Sequence, residues 1–277
     1  MALYIQTNVS SLESQKNLVK NQTALMKSFN KLSSGYRINT ASDDAAGLAI
    51  SESMKSQIRS FTVAERNAAD GISMAQTAEG GLGEVHDVLG RMRELSMQSA
   101  NGSMTSTDRS YLQQEFSLLQ KEIGRIQQST KFNSKSLINA TAATITYQVG
   151  LAAVSSDQIS VTFGGVALTT VTASGTTISG ATNSSALTSL SAIDTAIANV
   201  SSSRSKFGAA MNRLEVATSN IQTMRLNISA ANSRIRDVDV ASETAAMTRN
   251  QVLSQAGISV LAQANQLPQQ AFGLIGR

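Results

Sequence analysis

The sequence contains no cysteine and no tryptophan, a single proline, and only 4% aromatic residues among its 277 positions. Without cysteine, the fold can use neither disulfide bonds nor thiolate metal ligands. So few aromatic side chains leave little material for filling the core of a typical enzyme of this length. The apolar residues are instead Ala, Leu, Ile, Val and Met, which suit the close packing of helices.

The sequence also lacks a strong charge of one sign and a long apolar run. Its 23 basic and 19 acidic residues give a net charge of +4, and Lys and Arg are scattered, so no nucleic-acid partner is expected. The opening MALYIQTNVSSLESQKNLVK has no apolar segment or cleavage site typical of a secretory signal peptide. No run approaches the roughly 20 apolar residues of a membrane span, so no membrane insertion is expected.

An apolar stripe is present near each end of the chain. In residues 1–32 two adjacent rows repeat every seventh position, and they are Leu12, Val19 and Met26, then Leu18, Leu25 and Leu32. Towards the other end the repeat consists of Leu253, Val260 and Leu267. Two helices with such stripes are predicted to pair as a coiled coil with these residues in its core. The alternative is that each helix packs separately on a globular core.

The middle of the chain combines long helical patterns with one weakly charged stretch. Helical spacing covers residues 43–100, with EGGLG (79–83) as a weak point, then 107–129 and 184–233. Asn101–Gly102 is expected to end a helix, and Thr107 to cap the next one. ATITYQVG and QISVTFGG alternate as strands do. We therefore predict a mainly α fold with a small β elaboration at its tip.

Constellations that would support catalysis are missing. The single histidine, His86, has no Asp or Glu set at metal-ligand spacing around it. Adjacent Asp43 and Asp44 would point about 100° apart on a helix, so helix capping explains them better than paired catalytic carboxylates. The sequence predicts a protein that is not an enzyme and that needs no cofactor or metal.

Three stretches carry distinctive motifs, and they are LSSGYRINTASDDAAGLAI (32–50), RMRELSMQSANG (91–102) and AGISVLAQANQLPQQAFGLI (256–275). In this order they resemble the bacterial flagellins. The resemblance implies three parts. Residues 1–42 with 234–277 form a discontinuous terminal coiled-coil core domain. Residues 43–140 with 187–233 form a helical outer-core domain, and residues 141–186 form a short variable β and loop insert.

The resemblance also implies a function and partners. The chain would be a structural subunit that polymerises with itself into the flagellar filament for swimming motility. It would meet an export chaperone, a type III export apparatus, and filament cap and junction proteins. The expected location is therefore extracellular, in the filament, and this export route accounts for the missing signal peptide.

The polar turn after the first helix has a structural and a functional interpretation. Ser33, Ser34 and Gly35 can end the helix, because glycine accepts positive φ. Ser42 can cap the next helix, with Asp43 and Asp44 favourable at its positive end. The flagellin resemblance implies subunit contacts here as well, with Arg37 and Asn39 as the residues expected to reach a neighbour.

Arg91, Leu95 and Gln98 fall on one face of a predicted helix. From spacing alone, this face packs against a neighbouring helix or subunit. The resemblance implies a second role, because these positions and Glu115 match the flagellin surface engaged by the host Toll-like receptor for flagellin. Gly90, Met92, Ser96 and Met97 depart from that pattern.

Other functions stay open at this point. A hook–filament junction protein shares the terminal helices, and a secreted coiled-coil effector would share the helical pairing. A catalytic role for residues 141–186 is disfavoured, because Asp157 is the only charged residue there. The insert is expected to lie on the outside and to tolerate deletion of residues 165–183.

Overall fold

The computed structural model describes residues 7–173 and 175–275, with side chains as far as Gln266. The α-helices in that range are α1 (Val9–Ser34), α2 (Ala45–Ala100), α3 (Ser106–Ser129), α4 (Thr169–Thr172), α5 (Ser184–Arg236) and α6 (Val240–Ile275), and Ser155–Asp157 forms one 3-10 turn. The β structure is small, as described below. The predicted mainly α class is confirmed.

Two short antiparallel hairpins make up the β elements of the described chain. Strands β1 (Lys131–Phe132) and β2 (Lys135–Ser136) flank a two-residue turn, in which Asn133 and Ser134 both have positive φ. Strands β3 (Ala143–Gln148) and β4 (Gln158–Phe163) are the segments predicted from alternation. The apolar residues of β4 are buried at every second position, as a half-covered strand requires.

The described chain divides into two compact units, each built from separate parts of the sequence. The first contains residues 7–58 and 227–275, and the second contains residues 59–226. The three-part division predicted from the sequence places its boundaries at other positions, and it remains a prediction.

The core of the second unit is formed by one buried face on each of three long helices. The buried apolar residues include Leu82, Val85, Leu89 and Met92 on α2, Phe116 and Ile123 on α3, and Ile193, Val200, Phe207 and Leu214 on α5. The rings of Phe163 and Phe207 stack with centroids 5.3 Å apart, which ties β4 to α5. Ion pairs such as Arg204–Glu79, at 2.6 Å, join α5 and α2 at the surface.

Two local predictions about the helices need correction. The helix α2 continues through EGGLG, and a Cβ at Gly81 would lie 2.7 Å from Thr130 Oγ1, so glycine permits this close approach. The cap of α3 is Thr105 and not Thr107, because Thr105 and Asp108 form a reciprocal capping box. The predicted helix end at Asn101 is confirmed, since α2 ends at Ala100.

Arg109 of α3 is buried, with 3% of its surface exposed. Its Nε donates to the carbonyl of Ser99 at 3.0 Å, and Nη2 donates to that of Asn101 at 3.3 Å. Its Nη1 donates to the carbonyls of Gly180 and Ala181. One guanidinium therefore joins the end of α2 to the segment that precedes α5.

The segment before α5 is held by further polar contacts with α3. The side chain of Gln113 accepts from the backbone N–H of Ile178 at 2.6 Å, and Gln120 donates to the carbonyl of Val171 at 2.8 Å. The segment contributes the buried side chains Val166, Leu168, Val171 and Ile178. The expectation that the whole insert lies outside is wrong for this part, because these side chains are buried in the second unit. Tolerance of the deletion of residues 165–183 stays a prediction.

We predict that Arg109→Leu lowers the free energy of unfolding of the second unit by about 3 kcal/mol, because four carbonyls lose a charged donor. Urea unfolding followed by circular dichroism measures the change. Arg125→Leu is the matched control, since Arg125 is exposed on the same helix and pairs only with Glu122 in the described chain. Equal, small effects of the two substitutions would show that the Arg109 contacts are not needed for stability.

Candidate functional site

The helices α1 and α6 pack against each other in the first unit, as predicted for the two terminal stripes. Near one end of the pair Asn8 Nδ2 donates to the carbonyl of Ala264 at 2.8 Å, and near the other Lys31 pairs with Glu243 at 3.7 Å. These contacts define an antiparallel pair. Leu18 lies over Gly257, where an added Cβ would be 3.4 Å from Leu18 Cδ1.

The contact between α1 and α6 uses small and polar residues as much as leucines. Ser11 and Ser28 are buried, and Ser11 Oγ donates to Asn265 Oδ1 at 2.7 Å. The leucine row is only half-buried, and consists of Leu18, Leu25 and Leu32. Small residues let two helices approach closely, which places the contact on this side of α1.

The second apolar row of α1 points away from α6. Val19 is 62% exposed and Met26 is 68% exposed, and Leu12 is exposed as well. On α6, Leu253 is 45% exposed and Val260 is 53% exposed. The prediction that these five residues form the core of the pair is wrong, because the stripe is wider than one partner helix can cover. The predicted core residue Leu267 has a side chain outside the described residues.

A groove runs between the two helices on their exposed side. Leu25, Met26, Phe29 and Met247 line it together with Asn30 and Gln251. Its volume is about 380 Å³. Met26 and Phe29, which line this groove, are large apolar side chains that remain mostly exposed in the isolated chain.

The turn after α1 is fastened to the chain segment before α6. Gly35 has φ of 74°, which reverses the chain at the helix end as predicted. Arg37 Nη2 donates to the carbonyl of Ile235 at 2.6 Å. The guanidinium of Arg236 stacks on the ring of Tyr36 at 4.5 Å, and it pairs with Glu52. This stacking could not be predicted from local sequence patterns, since the two residues are 200 positions apart.

Asn39 and Ser34 stabilise the same turn through hydrogen bonds within the chain. Asn39 Nδ2 donates to Ser34 Oγ at 2.7 Å and to the carbonyl of Asn30 at 3.2 Å. Ser33 is exposed. The side chains of Asn39 and Arg37 are thus engaged within their own chain, and their contact with a neighbouring subunit stays a prediction.

The two adjacent aspartates have separate tasks. Asp44 Oδ1 accepts from the N–H of Gly47 at 2.9 Å, so Asp44 caps α2, and the predicted cap Ser42 is wrong. Asp43 Oδ2 accepts from the N–H groups of Thr40 and Asn39 and closes the turn. The hydrogen bond from the Thr40 backbone is the main cause that lowers the pKa of Asp43.

Arg91 and Glu115 form the centre of a polar face on α2 and α3. Arg91 donates to Glu115 at 2.8 Å and to Glu94 at 2.8 Å, and these hydrogen bonds raise the pKa of Arg91. Gln98 is exposed about two turns further along α2 from Arg91. Leu95 is only 1% exposed, so its predicted place in an accessible stripe is wrong.

The burial of Leu95 follows from the number of helices around α2. Positions 89, 92, 95, 96 and 99 of α2 are all buried, so Leu95 lies at the edge of the buried face and not on the exposed stripe. Two residues of this face were not predicted from the sequence, namely Tyr111 and Leu118 of α3, which are about two-thirds exposed beside Glu115. Apolar residues at helical spacing are normally expected to be buried, so the sequence pattern does not indicate that these two are exposed.

No metal-binding cluster is present in the part of the chain that the structure describes. Across residues 7–173 and 175–275, no three His, Asp or Glu side chains gather as metal ligands. His86 Nδ1 is buried without a hydrogen-bond partner among the described atoms. None of the described helices is long and apolar enough to cross a membrane.

Comparison with known proteins places this architecture in a class. A model of the bacterial flagellin N-terminal helical region matches residues 5–143, and one of the C-terminal helical region matches residues 190–275. Together they cover both ends and most of the helical bundle. The class is thus that of structural proteins with paired helical ends.

Individual relatives agree with the family match. A flagellin of Halalkalibacterium halodurans is 43% identical, covering 99% of this chain and 100% of the relative. A flagellar filament core protein of Brachyspira hyodysenteriae is 39% identical with the same coverage. The crystal structure of Bacillus cereus flagellin, 31% identical, covers 60% of this chain and 94% of its own, with a TM-score of 0.50.

The chain belongs to the bacterial flagellin family. Members of this family are structural subunits of the flagellar filament and not enzymes. Residues 144–189 fall outside both family models. This segment includes most of the insert, residues 141–186, which carries no family motif.

We predict that Asp43 titrates below its ordinary pKa of 3.8. Since the folded pKa is lowered, the stabilisation by Asp43 is complete above the unfolded pKa. It is lost as the pH falls through the folded value. Carbon NMR of the Asp43 carboxyl, recorded through an acid titration, measures the midpoint. Thr40→Val is expected to raise it only in part, because the backbone donors remain. A midpoint at or above 3.8 in the unaltered chain would contradict the turn geometry.

Proposed function

We propose that this chain is exported from the cell and polymerises with copies of itself into a filament for swimming motility. The large apolar side chains left exposed on α1 and α6 carry the proposal. Val19, Met26 and Val260 are each more than half exposed in the isolated chain. Burying one such side chain contributes about 1.5–3 kcal/mol, so contacts with further copies are strongly favoured.

The geometry of the helix pair supports a helical polymer in particular. One side of α1 is occupied by α6, and the free rows of both helices face outward. Head-to-tail contacts between different surfaces of identical chains build open helical assemblies when the rotation does not close. The groove at Phe29 and Met247 is a place for a side chain of another copy.

The proposed export partners are those expected for the family, and the exposed apolar rows of α1 and α6 give a physical reason for one of them. An export chaperone would cover the apolar surface of α6 before assembly, because a free surface of this kind aggregates. A type III export apparatus, a filament cap and junction proteins complete the expected partners, and the extracellular filament is the expected location. The turn at Arg37 and Asn39 is proposed as a further contact between subunits.

Recognition by the host Toll-like receptor for flagellin is a second candidate function. The exposed ion-pair group of Arg91, Glu94 and Glu115 lies beside two exposed apolar residues, Tyr111 and Leu118. Such a mixture of arginine and aromatic groups is typical of protein-binding surfaces. Leu95 would support this face from the core and would not touch the receptor.

The alternatives have less support. Relatives named flagellin match this chain over its full length, which favours a filament subunit over a hook–filament junction protein. A secreted coiled-coil effector would not explain the match at both ends. A separate catalytic site in the insert is disfavoured because Asp157 is its only charged residue.

We predict that Val260→Asp prevents filament growth while the second unit stays folded. An unpaired carboxylate in a subunit contact costs several kcal/mol in every subunit. Electron microscopy and sedimentation of concentrated protein measure assembly, and circular dichroism reports folding. Gln255→Asp adds the same charge on another face of α6 and should assemble normally. Filaments of normal length from the Val260 variant would remove α6 from the subunit contacts.

We predict that Arg91→Ala lowers receptor signalling by the monomer and also weakens assembly. The substitution removes both ion pairs of the exposed face without touching the core. A receptor reporter assay beside a sedimentation assay measures the two effects. Arg125→Ala is the matched control, since it breaks an exposed ion pair elsewhere on α3. Full signalling from the Arg91 variant would leave this face with a structural role only.

A further inference from the structure

Asn101–Gly102 is the only Asn–Gly pair in the sequence, and it follows directly after the last residue of α2. Both residues are exposed. The three Asn–Ser pairs of the chain are at 133, 183 and 232. The pair at 101 combines an amide side chain, a following residue without Cβ, and a position outside any helix or strand.

The turn holds the side chain of Asn101 over the next peptide. Asn101 Oδ1 accepts from the N–H of Ser103 at 3.2 Å, which closes a ring that contains Asn101 Cγ and Gly102 N. This hydrogen bond also polarises the amide carbonyl. Among the described residues, the Gly102 N–H donates to no acceptor. The nitrogen is thus free to act as a nucleophile towards Cγ.

We propose that Asn101 is a site of spontaneous deamidation through a succinimide. Gly102 N attacks Asn101 Cγ, the Cγ–Nδ2 bond breaks, and ammonia leaves with the proton of the Gly102 amide. Water then adds to one of the two ring carbonyls and reopens the ring. Opening at Cγ gives aspartate, and opening at the main-chain carbonyl gives isoaspartate. The net change is water in and ammonia out, with no oxidation or reduction.

Arg109 favours the isoaspartyl product. Its Nη2 already donates to the main-chain carbonyl of Asn101, and its acceptors in the described chain are all neutral carbonyls. In isoaspartate that carbonyl carbon becomes a free carboxylate on Cα, and the guanidinium gains an ion pair. The same contact stabilises negative charge that develops on this oxygen during hydrolysis. A new negative charge then lies one turn beyond Gln98.

The test is incubation of the folded, full-length chain in mildly alkaline buffer, followed by peptide mapping with mass spectrometry. Protein isoaspartyl methyltransferase serves as the probe for isoaspartate. A synthetic peptide of residues 96–107 gives the reference ratio of isoaspartate to aspartate. We expect modification at Asn101, a ratio above that of the peptide, and no isoaspartate at Asp70–Gly71, whose amide lies inside α2.

Two variants separate the parts of the proposal. Gly102→Ala is expected to slow the reaction by about an order of magnitude, because a Cβ restricts the backbone and crowds the attacking nitrogen. Arg109→Lys keeps a cation but loses the several fixed N–H donors of the guanidinium. It is expected to lower the ratio of isoaspartate to aspartate towards that of the peptide. An unmodified Asn101 in protein incubated until the peptide is converted would overturn the site. A peptide-like ratio in the unaltered protein would overturn the role of Arg109.

Discussion

Two packed helices can cover only one side of each other, and this constraint determines much of the molecule. The stripe of α1 has two apolar rows, but α6 covers the row that contains Leu18 and leaves Val19 and Met26 in solvent. The covered side includes Ser11, Ser28 and Gly257, which bring the helices close without burying much apolar area. An isolated chain therefore keeps large apolar side chains exposed to solvent. This exposure agrees with membership of a family whose proteins are subunits of a filament.

The elements that follow from local patterns could be predicted from the sequence. Helix periodicity located the long helices, and alternation located β3 and β4. The pairing of α1 with α6 was predictable because each stripe needs a partner. The side of α1 that contacts α6 was not predictable, since the choice between the Leu18 row and the Val19 row depends on small residues of the partner helix.

Residues that depend on three or more elements escaped sequence reasoning. Leu95 and Tyr111 both look like members of helical stripes, but one is buried and the other exposed. The difference arises from how α2, α3 and α5 share their faces, which no single helix reveals. Arg109 is a stronger case, because four backbone carbonyls from distant segments surround a cation with no sequence motif.

The loop between β3 and β4 differs from the rest of the insert. Residues 151–156 are all exposed, while Asp157 accepts from the N–H of Ala152 and holds the base of the loop. Both strands remain paired on either side of it. A foreign peptide placed between Ala153 and Val154 would therefore extend from a closed hairpin without interrupting either strand. An insertion in the stretch before α5 would instead disturb side chains that are buried in the second unit.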